Sequence, residues 1–294
     1  MPCPGVTRAA NREPVPQFVL NCERYRTPDT FLESGCFTYL CVAEREASMN
    51  LDETSGDRLG VPQLKWFRVG GIAAILLAVG YVVIFPLYFR VGAPPSGGDA
   101  WFKYLPAKTS LWWAIVAVSV VTDFLFVPVT LALYLALKSQ GKNAMLLATA
   151  FVCAFVSLDL AVTWSHYASI LTLYEKYAAT SNVALRAGYL AAADYGSAML
   201  TSPLEIVYSI VTLSFGILVI GFVMLRGVFS KLTAYLGLVT GILGIASVSR
   251  ASFTIIGNAL CATLWLFFVG YRLCRLTSDR FTLTPDGDSQ STPA

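Results

Sequence analysis

Six stretches of this chain are long and apolar enough to cross a lipid bilayer, and nothing else in the sequence limits its fold so severely. They cover residues 67–89, 111–137, 144–172, 204–225, 232–249 and 253–271. A helical crossing needs about 20 mostly apolar residues. Inside hydrocarbon every backbone N–H and C=O must be paired within the protein, which leaves helices as the natural form for runs of this length. Only Arg68, Asp123, Asp159 and Glu205 carry charge within these runs. The whole chain of 294 residues is 56% hydrophobic and 13% charged, with a formal net charge of +3. That charged fraction is about half of what soluble domains carry. The composition excludes a disordered chain, a collagen-like fibre and a soluble enzyme, and it predicts an all-α, six-transmembrane helix bundle.

The organisation follows from what lies between the runs. Residues 1–64 are acidic, proline-scattered and without periodicity, and read as a poorly ordered cytosolic tail. No apolar stretch follows the opening methionine, so no cleaved secretory signal is expected; Met49 is a candidate alternative start. Residues 65–275 form the membrane domain, and 276–294 read as a disordered cytosolic tail. The polar interval 173–202 fits an interfacial helix or re-entrant cap better than a seventh crossing. Positive charge sets the orientation. With the N-terminus inside, the cytosolic side carries Lys65, Arg68, Lys138, Lys142, Arg226, Lys231, Arg272, Arg275 and Arg280. The outer side carries Arg90, Lys103, Lys108, Lys176, Arg186 and Arg250, so an N-in/C-in arrangement is favoured. Trp112, Trp113 and Tyr174 are then expected at the outer interface.

The candidate site comes from depth arithmetic. At 1.5 Å per residue, Asp123 and Asp159 both lie roughly 18–20 Å below the outer surface, near mid-bilayer. A short loop over 138–143 makes their helices antiparallel neighbours. Helical spacing adds Ser119 to the face of Asp123, and Thr163 and His166 to the face of Asp159. Glu205 opens a further polar stripe with Ser209 and Thr212. Asn258 falls near the depth of His166, and Arg250 is the basic residue best placed to pair with Glu205. Together these residues predict an intramembrane polar pocket open toward the outside. Ionisable residues within a bilayer suggest function by default, and two adjacent carboxyl groups would resist joint ionisation and share a proton. The alternative is that protonated aspartates simply bridge helices.

Other features carry less. Pro86 and Pro128 are expected to kink their helices. Gly237, Gly241 and Gly244 form a small-residue ridge for close packing, within the bundle or across a homodimer. Seven cysteines show no Cys-x-x-Cys pair, and one histidine cannot build a three-histidine zinc site. No metal and no cofactor is called for. There is no basic stripe or phosphate-binding glycine loop, so no nucleic-acid partner is expected.

The run 123–137 (DFLFVPVTLALYLAL) with its short basic loop, and the run 229–247 (FSKLTAYLGLVTGILGIAS), resemble the DUF4386-like group of bacterial multi-span membrane proteins of unknown function. The resemblance covers about residues 67–275 and implies a bacterial inner-membrane protein; it brings no catalytic residues with it. Three functions stay open. One is small-molecule binding or proton-coupled transport through the pocket. The second is an intramembrane enzyme on a lipid or isoprenoid, with His166 as acid/base. The third is a non-catalytic sensor or structural subunit. Membrane lipids are the expected surroundings in each.

Overall fold

A computed structural model describes residues 61–227 and 229–281, and among these there is helix and no strand. The expectations for the two tails otherwise lie outside the described residues. The chain runs through α1 (Val61–Val91), α2 (Gly98–Tyr104), α3 (Thr109–Leu158), a π-helical turn (Asp159–Trp164) and α4 (Ser165–Ala179). It continues through α5 (Val183–Thr201), α6 (Pro203–Ile206), a second π-helical turn (Val207–Val211), α7 (Thr212–Met224), α8 (Lys231–Ala246), a 3-10 turn (Ser247–Ser249) and α9 (Ser252–Phe281). Helix therefore reaches further at both ends than the boundaries at 65 and 275.

Five helical stretches are long and apolar enough to cross a membrane: Leu64–Val91, Thr109–Ala179, Pro203–Met224, Lys231–Ser249 and Ser252–Leu276. The second is 71 residues long. At 1.5 Å per residue it would extend about 105 Å if straight, more than three times a bilayer core. It folds back on itself instead. Gly141 leaves helical dihedrals (φ −179°, ψ 77°), and the two arms meet at Phe126–Phe155 and Trp112–Tyr167, with ring centroids 5.5 and 5.1 Å apart. The expected loop over 138–143 is thus a sharp break in otherwise continuous helix. Pro86 and Pro128 lie inside their helices, and Gly141 is the residue of α3 that departs from helical φ/ψ.

The arms pack as a closed ring of antiparallel neighbours. A β-carbon at Gly70 would come within 2.2 Å of Ala132, and one at Gly80 within 2.5 Å of Thr122, so α1 lies along the first arm of α3. Gly216 meets Val152 and Ala148, joining the second arm to α7. Gly221 and Gly241 join α7 to α8, Gly237 meets Trp265 of α9, and Gly71 meets Cys274, which brings α9 back beside the start of α1. The ridge on α8 is spent inside the bundle: Gly241 faces Leu218, and Gly244 faces Ser214 and Asn258.

Two apolar clusters fill the interior. One includes Leu77, Phe126, Leu133, Met145, Val152 and Trp265. The other includes Trp101, Leu105, Trp112, Ile115, Ile170 and Leu171, under a cap made by α2 and α5. The cap is tied down where the Gly97 amide donates to Ser197 Oγ (2.8 Å) and the Gly98 amide donates to Asp194 Oδ1. Asn182 N-caps α5, accepting from the amides of Ala184 and Leu185. This helix is 19 residues long but is not among the stretches apolar enough for a crossing, and it packs over the bundle end.

Replacement of Gly70 by Val should push α1 off Pro128–Ala132 and cost about 1–3 kcal/mol, as overpacked cores do. Thermal unfolding in detergent checks this, with Gly188→Ala, where no atom lies within 4 Å, as the variant expected to change little.

Candidate functional site

The two apolar clusters are separated on α3 and its continuation by a polar layer. On the first arm, Ile115 and Val116 belong to the cap-side cluster and Phe126 to the other; Ser119, Thr122 and Asp123 lie between. On the second arm, Val156 belongs to one cluster and Trp164 packs against the other; Asp159 and Thr163 lie between. All five polar side chains are buried, Asp123 at 3% and Asp159 at 4% exposure. The register of the hairpin puts the two carboxyl groups opposite one another, each within range of the other and of the Trp164 indole. Trp164 Nε1 donates to Asp159 Oδ2 at 3.0 Å. Asp123 Oδ2, Asp159 Oδ1 and Thr163 Oγ1 are buried without a hydrogen-bond partner. The Thr122 hydroxyl donates to the Ser119 carbonyl (2.7 Å).

The π-helical turn explains which residues join the pair. In an α-helix, residues five apart point about 140° away from each other. A π-helical turn has more residues per turn and brings i and i+5 close to one face. Trp164 therefore lies over Asp159, which α-helical spacing alone could not indicate. The same turn displaces His166. Seven residues after Asp159 it would share that face in an α-helix, but the extra residue rotates it by about 100°. His166 packs instead against α5, 6.1 Å from the Tyr195 ring, with Nδ1 at 2.5 Å from the Val162 carbonyl. The predicted stripe of Glu205, Ser209 and Thr212 breaks for the same reason. Thr212 Oγ1 reaches back five residues to Val207 O (2.6 Å), while Ser209 donates to the Glu205 carbonyl (2.9 Å).

The remaining candidates divide. Glu205 is half-buried and lies within range of the Asp159 charge and of Arg250. Arg250, exposed and in the left-handed region (φ 55°), donates to the Thr201 carbonyl at 3.0 Å. It caps the C-terminus of α5 rather than forming the expected ion pair with Glu205. Asn258 lies against Gly244 and Ser214, with Oδ1 unpartnered.

The predicted opening toward the outside is closed. Trp112, expected in an interfacial belt, is fully buried and stacks on Tyr167. Tyr88 meets Trp112 edge-on, Trp101 packs on both Trp112 and Tyr167, and Trp164 packs on Tyr167. Trp112 Nε1 donates to the Tyr104 hydroxyl (3.3 Å), which donates to Val91 O (2.6 Å); burial pushes that phenol above its ordinary range. Trp113 alone of the adjacent pair turns outward, donating to Glu175 (3.1 Å). An open depression of about 390 Å³ lies further along α4, lined by Ala168, Ser169, Thr172 and Leu173. Tyr81 on α1 lies within range of both carboxyl groups and beside Phe126, a neighbour that no local pattern in the sequence could supply.

No family model, curated protein or solved structure matches this chain.

Replacing Trp164 by Phe keeps the ring packing and removes the donor to Asp159. The loss should be about 1–3 kcal/mol, the cost of leaving a buried acceptor unpaired. Unfolding measurements on Trp164→Phe beside Trp113→Phe, whose hydrogen bond is exposed, should separate the two.

Proposed function

We propose that this chain is an integral membrane protein with six crossings that binds or transports a small molecule by coupling it to a proton held between Asp123 and Asp159. The hairpin arms over Thr109–Ala179, counted as two crossings, supply the sixth. The ring of antiparallel neighbours brings the start of α1, the turn at Gly141, the connection between α7 and α8, and the end of α9 to one end of the bundle. The nine basic residues assigned to the inside belong to that end, which supports an N-in/C-in orientation; a bacterial inner membrane follows only from the family resemblance. The DUF4386-like resemblance is part of the same proposal and assigns no chemistry to it.

The carrying observation is the facing pair of buried carboxyl groups. An aspartate at the centre of a membrane helix costs roughly 3 kcal/mol on insertion scales, so two cost about 6. A hydrogen bond between membrane helices averages about 0.6 kcal/mol and reaches about 1.7. Helix adhesion therefore falls several-fold short of accounting for the pair. Ionised carboxylates are acceptors only, so the unpartnered oxygens Asp123 Oδ2 and Asp159 Oδ1 are joined by a hydrogen bond when one of the two groups carries a proton. With Trp164 fixing one Asp159 oxygen, that proton sits between the two groups. The aromatic seal of Trp112, Trp164, Tyr88 and Tyr167 makes this an occluded arrangement. Exchange of the proton with the outside requires the cap and these rings to move, and the two π-helical turns are the weakest helical geometry available for it.

Infrared spectroscopy of the reconstituted protein tests the reading. The carboxylic-acid C=O stretch of a shared, buried proton should be present at neutral pH and disappear in both Asp123→Asn and Asp159→Asn, with normal membrane insertion. No such band in the unaltered protein, or a band unchanged in both variants, contradicts it.

A further inference from the structure

We infer that the bundle end carrying the turn at Gly141 binds the phosphate headgroup of an anionic phospholipid, at a basic patch shared by that turn and the connection between α7 and α8. The inference is independent of the proton held between the aspartates. Four cations carry it. Lys138 and Lys142 flank the turn, Arg226 and Lys231 flank the connection, and all four are exposed. Packing brings the two pairs to one place. A β-carbon at Gly141 would lie 3.8 Å from Val223, near the end of α7, and one at Gly227 would lie 2.8 Å from Leu137 and 3.7 Å from Gln140. Phe229 is buried in the same cluster as Leu137 and Met145. The connection therefore sits directly on the turn, and four like charges share one small surface.

Such a surface repels itself unless anions lie over it, and the neighbouring chain supplies none. Residues 136–147 and 222–236 contain no Asp or Glu. The ion pair found among the described residues joins Lys103 to Asp99, both in α2 of the cap. The remaining cations at this end have acidic residues close in sequence: Lys65 and Arg68 follow Asp52, Glu53 and Asp57, and Arg275 precedes Asp279. What selects a lipid over a free anion is the apolar surface beside the charges. Leu146 follows Lys142 by four residues, Phe222 precedes Arg226 by four, and Tyr235 follows Lys231 by four, so each shares a helix face with its cation. The three are 40%, 57% and 57% exposed. They lie about 6 Å deeper along their helices, level with acyl chains when the cations are level with phosphates. Cations stacked over exposed apolar side chains match an amphiphile with a negative head, and basic clusters between membrane helices attract such lipids.

The test is native mass spectrometry of the full chain, released from detergent micelles that hold equal amounts of phosphatidylglycerol and phosphatidylcholine. Phosphatidylglycerol should be retained in preference. Lys138→Gln, Lys142→Gln, Arg226→Gln and Lys231→Gln combined should abolish that preference, and Arg226→Gln alone should weaken retention about fivefold at low salt, the share of one charge at an anionic surface. The four positions are exposed, so the unfolding temperature without lipid should not fall, which separates loss of the site from loss of the fold. Lys65→Gln with Arg68→Gln should leave most of the preference in place. Glycerol phosphate, a head without chains, and polyglutamate should not displace the lipid. Equal retention of the two lipids, a preference that survives the combined variant, or an equal loss in the Lys65 and Arg68 variant overturns the site. Displacement by glycerol phosphate or by polyglutamate overturns the lipid as its occupant.

Discussion

Two buried carboxyl groups that face each other, with no lysine or arginine paired to them among the described residues, set the terms for the rest of this molecule. Their layer separates the two apolar clusters along the hairpin of α3 and its continuation. Removing the rings that cover them would expose the pair to water; removing the proton would leave like charges facing in a low-dielectric space. The fold is consistent with avoiding both. The hairpin at Gly141 brings the two arms into register, and the cap closes the end toward which the pair would otherwise open.

The π-helical turn at Asp159–Trp164 couples that local chemistry to the fold. One inserted residue turns the indole of Trp164 onto Asp159, withdraws the hydroxyl of Thr163 from its usual backbone partner, and swings His166 onto the cap helix. Such bulges cost regular hydrogen bonding and occur frequently where function needs an unusual side-chain arrangement. The second π-helical turn, at Val207–Val211, follows Glu205 directly. The two lie on neighbouring helices, so a rearrangement of one is placed to reach the other.

Much of this architecture was legible from residue type alone. The apolar runs marked the helices, and counting from their ends put Asp123 and Asp159 at one depth. The polar interval after Thr172 was readable as a cap because its helix carries Arg186 and Asp194. The failures share a cause. Reading faces at 3.6 residues per turn placed His166 with Asp159 and left Trp164 out, and it extended the Glu205 stripe to Thr212. Trp112 looked interfacial because position along a helix fixes depth but not direction; its neighbour Trp113 faces outward, and Trp112 faces the core. Tyr81 and the Ser214–Gly244–Asn258 contact depend on which helices adjoin, which no single helix records.

The central claim is that Asp123 and Asp159 act as one unit. A double-mutant cycle with Asp123→Asn, Asp159→Asn and the pair, followed by reversible unfolding in mixed micelles, measures this directly. A coupling of at least about 0.5 kcal/mol between the two substitutions is expected; effects that add within about 0.3 kcal/mol would mean the groups do not interact.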